Sequence, residues 1–156
     1  MYKSVLVPLD GSKLAECSLA YAEELATKLK VEEVVLVNVT NRIKGFRAID
    51  DVGEPNEERL VEEAVCSTEE KALKYLTEVG KGLREKGVKV VAEVLCGKPA
   101  EEIVIYANTS GCDLVVMSSH GRSGPAKWTR GSVAEKVFKG VNVPVMMIRA
   151  PGCVIA

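Results

Sequence analysis

Residues 117–135, M-S-S-H-G-R-S-G-P-A-K-W-T-R-G-S-V-A-E, gather the groups in this chain best suited to holding an anion. Three glycines (Gly121, Gly124, Gly131), three cations (Arg122, Lys127, Arg130) and the only histidine, His120, fall within them. No acidic residue occurs between Asp113 and Glu135. Glycine has no Cβ and tolerates positive φ, so a glycine-rich backbone can approach a ligand closely. Ser132 stands three residues before Glu135, a capping-box spacing, and opens an apolar-periodic segment (Val133, Ala134, Val137, Phe138) that reads as a helix. The first turn of a helix carries unpaired amides and the positive end of the dipole. The chemistry implied is anion binding, and phosphate fits it best.

Other residues invite chemistry with weaker grounds. Asp10, beside Gly11, reads as a metal ligand or ribose acceptor, or as a turn residue. His120 has no obvious activated nucleophile beside it and is read as a loop residue. Arg122, Lys127 and Arg130 are either phosphate contacts or solvated loop charges. Trp128, the only tryptophan, is read as a packing anchor for the loop. Neither G-x-x-x-x-G-K-[ST] nor S-G-G-x-D-S occurs, so ordinary P-loop and pyrophosphatase-type ATPases find no support.

A loop of this kind needs a strand before it and a helix after it. Residues 113–118, wholly apolar at 114–117, read as the preceding strand. Upstream, residues 2–9 read as a first strand ending at Asp10-Gly11-Ser12, with Ser12 a good N-cap. Leu14, Cys17, Tyr21, Leu25 and Leu29 then recur at helical spacing and mark the expected inner face. Residues 34–40 are a second strand. Residues 41–55 show no periodicity, and 41–58 are expected to form a mobile loop. Val61, Val65, Thr68, Ala72, Tyr75, Val79 and Leu83 mark one face of a long helix ending near Gly87. Residues 88–95 are a third strand, Pro99 opens a helix with Ile103 and Ala107 inward, and 143–149 are a fifth strand.

Strand and helix alternate five times, and the strands are too continuously apolar to face water on one side. That pattern predicts an α/β fold: a doubly wound, five-stranded, parallel open sheet of flavodoxin-like architecture. With strand order 3-2-1-4-5, the order reverses between strands one and four, and ligands bind outside the carboxyl ends there. Asp10 and the glycine loop would then meet in one crevice.

The 156 residues read as a single domain, 1–156, able to bury roughly 70% of the unfolded surface. A net charge of −1 argues against a general nucleic-acid binder. Residues 50–70 hold nine carboxylates against Arg59 alone, and this acidic stretch is expected to cover the crevice as a lid. Five cysteines (Cys17, Cys66, Cys96, Cys112, Cys153) without a C-x-x-C read as buried free thiols in a reducing compartment. The N-terminus enters a strand with no signal-peptide pattern, and no apolar run nears ~20 residues. A cytoplasmic protein without membrane contact is expected.

These residues resemble the universal stress protein family in its single-domain, ATP-binding form, with the adenine nucleotide α-hydrolase-like fold. The resemblance rests on V-L-V-P-L-D-G-S (5–12), G-K-P-A-E-E-I (97–103), D-L-V-V-M-S-S-H-G-R-S-G (113–124), R-G-S-V-A-E-K-V (130–137) and V-P-V-M-M-I-R (143–149). ATP-binding members carry Gly, two residues, Gly, nine residues, then Gly and Ser or Thr. Gly121, Gly131 and Ser132 match; Ser118 replaces the first glycine. The resemblance implies that Pro8 and Asp10 border the nucleoside and that the Val39 backbone meets adenine. It places Met117 and Ser118 at the ribose and the first phosphate. Gly121, Gly131, Ser132 and Val133 would hold the phosphates, with Mg²⁺ or Mn²⁺ bridging their oxygens.

The reading that follows is an ATP-binding regulatory protein, with AMP or ADP as alternative ligands, at most slow hydrolysis and an unidentified protein partner. The apolar edge strand 143–149 is expected to pair with its copy in a homodimer. Three alternatives remain open. A non-nucleotide scaffold of the same fold would treat Ser118 as the mark of a lost site. A flavodoxin-like electron carrier would need aromatic residues to sandwich the flavin. A phosphoacceptor receiver would need a carboxylate where the third strand ends in Leu95-Cys96-Gly97.

Overall fold

The structure is a computed structural model that describes residues 2–41, 56–120 and 132–149. Five strands alternate with helices in the order β1 (Ser4–Pro8), α1 (Lys13–Lys28), β2 (Glu33–Thr40), α2 (Asn56–Val79), α3 (Lys81–Glu85), β3 (Lys89–Cys96), α4 (Pro99–Thr109), β4 (Leu114–Ser118), α5 (Ser132–Gly140) and β5 (Val145–Ile148). All four pairings are parallel, and the sheet runs β3-β2-β1-β4-β5. This is the expected α/β sheet in the expected order.

Side chains alternate across a strand, so each strand feeds two cores. Val5, Val7, Val34, Leu36, Leu114 and Val116 face α1, α2 and α3. Leu6, Val35, Val37, Val115 and Met117 face α4 and α5. Covering on both sides is why these strands show no polar face. The start of β1 is fixed to β4 by Asp113, whose Oδ2 accepts from the amides of Lys3 (2.7 Å) and Ser4 (2.9 Å). Those two bonds hold the Asp113 carboxyl below its ordinary value of 3.8.

Two helices present faces other than those the large apolar residues suggest. In α1 the buried residues are Ala15, Ser18, Ala22 and Ala26. Leu14, Cys17 and Leu25 are only half-buried, and Tyr21 and Leu29 are exposed. The small residues share the helical spacing, and they let the helix axis lie close to a sheet already filled by Val and Leu side chains. Among the α2 side chains described (68–79), Leu76 is fully buried, with Ala72 beside it; Tyr75 and Val79 are half-buried and Thr68 is exposed.

The long helix breaks at Gly80. A Cβ there would stand 3.0 Å from Leu36 Cδ1 and 3.1 Å from the Leu76 carbonyl, so the chain passes tight against β2. Residues 56–58, expected in the loop, belong to α2, whose start follows Pro55. The rest of the expected mobile loop, 42–55, lies outside the described residues.

Candidate functional site

β1 and β4 are neighbours, and the strand order reverses between them. A cleft of about 310 Å³ opens at their carboxyl ends. Pro8, Leu9, Asp10, Asn38, Val39 and Asn41 line one side, Met117, Ser118, Ser119 and His120 another, and Ser132, Val133 and Ala134 of α5 a third. Pro99 and Ile103 of α4 add apolar surface. Of the residues expected at a site, the cleft brings together Pro8, Asp10, Val39, Met117, Ser118, Ser132 and Val133. Gly121 and Gly131 lie outside the described residues, as do Arg122, Lys127, Trp128 and Arg130.

The turn after β1 is built by its own side chains. Asp10 Oδ1 accepts from the Ser12 amide (2.9 Å) and hydroxyl (2.6 Å), and Ser12 Oγ accepts from the Ala15 amide (3.1 Å) as N-cap of α1. Gly11 takes φ +85°, a conformation that favours glycine. Asp10 is therefore a turn residue and a cleft residue together, two readings that the sequence set against each other.

Pro8 has no amide to donate, and Leu9 resumes the ladder with its N–H to the Val37 carbonyl (2.8 Å). Asn38 completes the hold: its Nδ2 donates to the Leu9 carbonyl at 2.8 Å. Asn38 is buried, so its match to the glycosylation sequon offers no acceptor.

At the end of β4, Ser118 and Ser119 are buried. Ser118 Oγ accepts from the His120 amide (3.4 Å), and the Ser119 amide donates to the Ile148 carbonyl of β5 (2.8 Å). His120 is a loop residue after β4, as expected, and it also lines the cleft, with its Nδ1 3.0 Å from Ser119 Oγ. α5 begins at Ser132 itself, so its capping position lies outside the described residues. The first-turn amides of a helix have no intrahelical acceptor, and in α5 that turn contributes Ser132, Val133 and Ala134 to the cleft.

Asn38, Asn41, Pro99, Ile103 and Ser119 line the cleft without having been expected at a site. Asn38 left a signal: it is the one amide in the otherwise apolar core of V-V-L-V-N-V-T. Among the described residues, no three His, Cys, Asp or Glu side chains gather as a metal site. A Mg²⁺ or Mn²⁺ carried by phosphates needs only one or two protein carboxylates, and Asp10 is such a group on the cleft. Of the cysteines expected to be buried free thiols, Cys112 is one, whereas Cys17 is half-buried and Cys96, the last residue of the edge strand β3, is exposed; the side chains of Cys66 and Cys153 lie outside the described residues. No described helix is long and apolar enough to cross a membrane.

The chain matches the universal stress protein family (Usp) over residues 1–149. It is 35% identical to the universal stress protein MJ0577 of Methanocaldococcus jannaschii, over 96% of each chain. The solved structure of MJ0577 superposes with a TM-score of 0.81, covering 97% of this chain and 99% of that one at 33% identity. A universal stress protein in complex with cAMP shares the fold (TM-score 0.65, 17% identity, 96% of this chain and 98% of that one). So does a family protein of Arabidopsis thaliana with AMP bound (TM-score 0.58, 17% identity, 96% and 93%). A whole-length family match, a relative above 30% identity and the shared sheet order agree: this chain belongs to the universal stress protein family.

Proposed function

We propose that the cleft binds an adenine nucleotide, foremost ATP with Mg²⁺ or Mn²⁺, with AMP or ADP as alternatives. The observation that carries this is the cleft itself. Its lining combines apolar groups suited to a flat base (Pro8, Val39, Pro99, Ile103) with Ser118, Ser119 and the first turn of α5, suited to phosphate. Its volume falls at the lower limit of small-molecule sites, roughly 300–1,000 Å³.

In this reading the Val39 backbone meets adenine, Asp10 serves the ribose or the metal, and Met117 and Ser118 lie along the ribose. Ser132 and Val133 would hold phosphate together with Gly121 and Gly131. Support also comes from the two solved proteins of this fold whose nucleotides are cAMP and AMP; what they share with this chain is the fold alone.

The protein would act as a cytoplasmic, nucleotide-dependent regulator that presents a different surface to a protein partner when occupied. Hydrolysis would be at most slow, since the sequence offers no identifiable activated nucleophile or general base. Among the described residues β5 pairs only with β4, and Val145, Met146 and Met147 are half-buried at this edge. A homodimer through 143–149 would cover it. Light scattering at micromolar concentration should give a dimer, and a monomer would reject this part.

Isothermal titration with ATP and MgCl₂ tests the main reading: a saturable signal at one nucleotide per chain is expected. A flat titration of folded dimer would instead favour a scaffold in which Ser118, standing where the binding pattern has glycine, marks a lost site.

A further inference from the structure

The geometry points to Tyr75 of α2 as a positioning residue for the cleft, fastening the Asp10-Gly11-Ser12 turn that forms one of its walls. The inference rests on the nucleotide-binding reading above and adds a residue outside the cleft. The Tyr75 hydroxyl donates to Glu16 Oε1 in the first turn of α1 at 3.1 Å, a bond between residues 59 apart in sequence. Glu16 in turn donates its amide to the Ser12 carbonyl (3.2 Å), next to Gly11 in the turn.

One hydroxyl thus ties α2 to the first turn of the helix that the turn opens. From Ser12 the connections continue inward, because Ser12 is bonded to Asp10 Oδ1 and Asp10 lines the cleft.

Several features separate this from ordinary packing. Burial against α2 is supplied by Leu76 and Ala72, while Tyr75 is only half-buried. Its ring lies against the core, which phenylalanine would do equally well. The hydroxyl is what phenylalanine lacks. Burial pushes that hydroxyl's titration far up, and the Glu16 charge adds to it, so the phenol remains a neutral donor at any physiological pH.

Gly11, at φ +85°, has the widest conformational freedom of any residue type, so the turn gains most from an outside hold. α2 also follows β2 in the chain, and β2 contributes Asn38 and Val39 to the same wall of the cleft as Asp10. A shift of α2 would therefore be felt at the nucleoside wall, and occupancy of the cleft would be felt at α2.

The test uses the full chain with Mg·ATP as probe. Tyr75→Phe should raise the dissociation constant by roughly threefold to tenfold, the net value of one ordinary hydrogen bond, since the tie reaches the nucleotide only through the turn. In nucleotide-free protein the Gly11 and Ser12 amides should exchange faster, while those of Leu6 and Val7 stay protected. Glu16→Ala, which leaves the tyrosine ring in place, should shift both readouts the same way, and Glu16→Gln, which keeps an acceptor oxygen, should restore them.

Unchanged affinity in Tyr75→Phe and Glu16→Ala would overturn the inference, whatever happens to the urea midpoint. So would faster exchange with unchanged affinity, which is the outcome of a purely structural tie. If the unaltered protein takes up no Mg·ATP, the nucleotide reading itself fails and this one falls with it; if only the variants match the unaltered protein, this one fails alone.

Discussion

Replacing Asn38 by alanine tests how the wall of the cleft is held. Asn38 is 9% exposed, and its Nδ2 gives the Leu9 carbonyl a partner at 2.8 Å. Alanine removes the donor and leaves that carbonyl in a pocket where water replaces it poorly. The cost of such an orphaned acceptor is about 1–3 kcal/mol. The Leu9 amide keeps its own bond to Val37, so β1 stays in the sheet and the loss remains local. With a urea m-value of about 2 kcal/mol/M, the midpoint should fall by roughly 0.5–1.5 M at neutral pH.

Asn38→Asp sharpens the test. A carboxylate facing the Leu9 carbonyl has no proton to give, so this variant should be at least as weak as alanine at pH 7. Its folded-state pKa would be raised, which makes the penalty smallest below about pH 4, where the acid is protonated and can donate. A loss under about 0.5 kcal/mol for alanine, with no pH dependence for aspartate, would refute the reasoning. Asn38 would then be a passive lining residue.

Three further outcomes follow from the packing and the charges. Leu76→Ala should cost about 2–5 kcal/mol, whereas Thr68→Ala on the same helix should stay within about 0.5 kcal/mol; the reverse order in thermal unfolding would mean that α2 turns another face to the sheet. Gly97→Ala should cost about 1–3 kcal/mol by chemical denaturation, since Gly97 has φ +148° and a Cβ would stand 2.6 Å from Glu102 Oε1. Neutral behaviour there would show that the turn relaxes freely. The Asp113 carboxyl titrates below its ordinary 3.8, so the stability it adds is full above that value and disappears as pH falls through the lower, folded-state value. Asp113→Asn should flatten the acid limb of the urea midpoint below about pH 4, and an unchanged limb would remove Asp113 as a contributor.

The fold was legible because its two periods are strong. V-V-L-V-N-V-T and L-V-V-M are strands covered on both sides, and Gly97-Lys98-Pro99 announces α4. Sheet order then placed Asp10 beside the end of β4 before any coordinate was known.

Helix faces were harder to read. In α1 the large residues Leu14, Tyr21 and Leu29 outrank Ala15, Ala22 and Ala26 on any hydrophobicity count, yet the sheet side chains left room only for the small set. In α2, Tyr75 and Leu76 are neighbours, and spacing alone chose the half-buried one of the two. The Asn38 bond to Leu9 joins residues 29 apart, and the Tyr75 bond to Glu16 joins residues 59 apart. Neither pairing leaves a local pattern, because both depend on how a side chain reaches across the finished sheet.

The most direct measurement is a crystal structure of the full chain grown with MgCl₂ and ATP. The account predicts a nucleotide at the carboxyl ends of β1 and β4, with its base against Pro8 and Val39 and its phosphates within hydrogen-bonding distance of Ser132 and the first amides of α5. A cleft holding only solvent at saturating ATP, or a nucleotide seated elsewhere on the molecule, would contradict it.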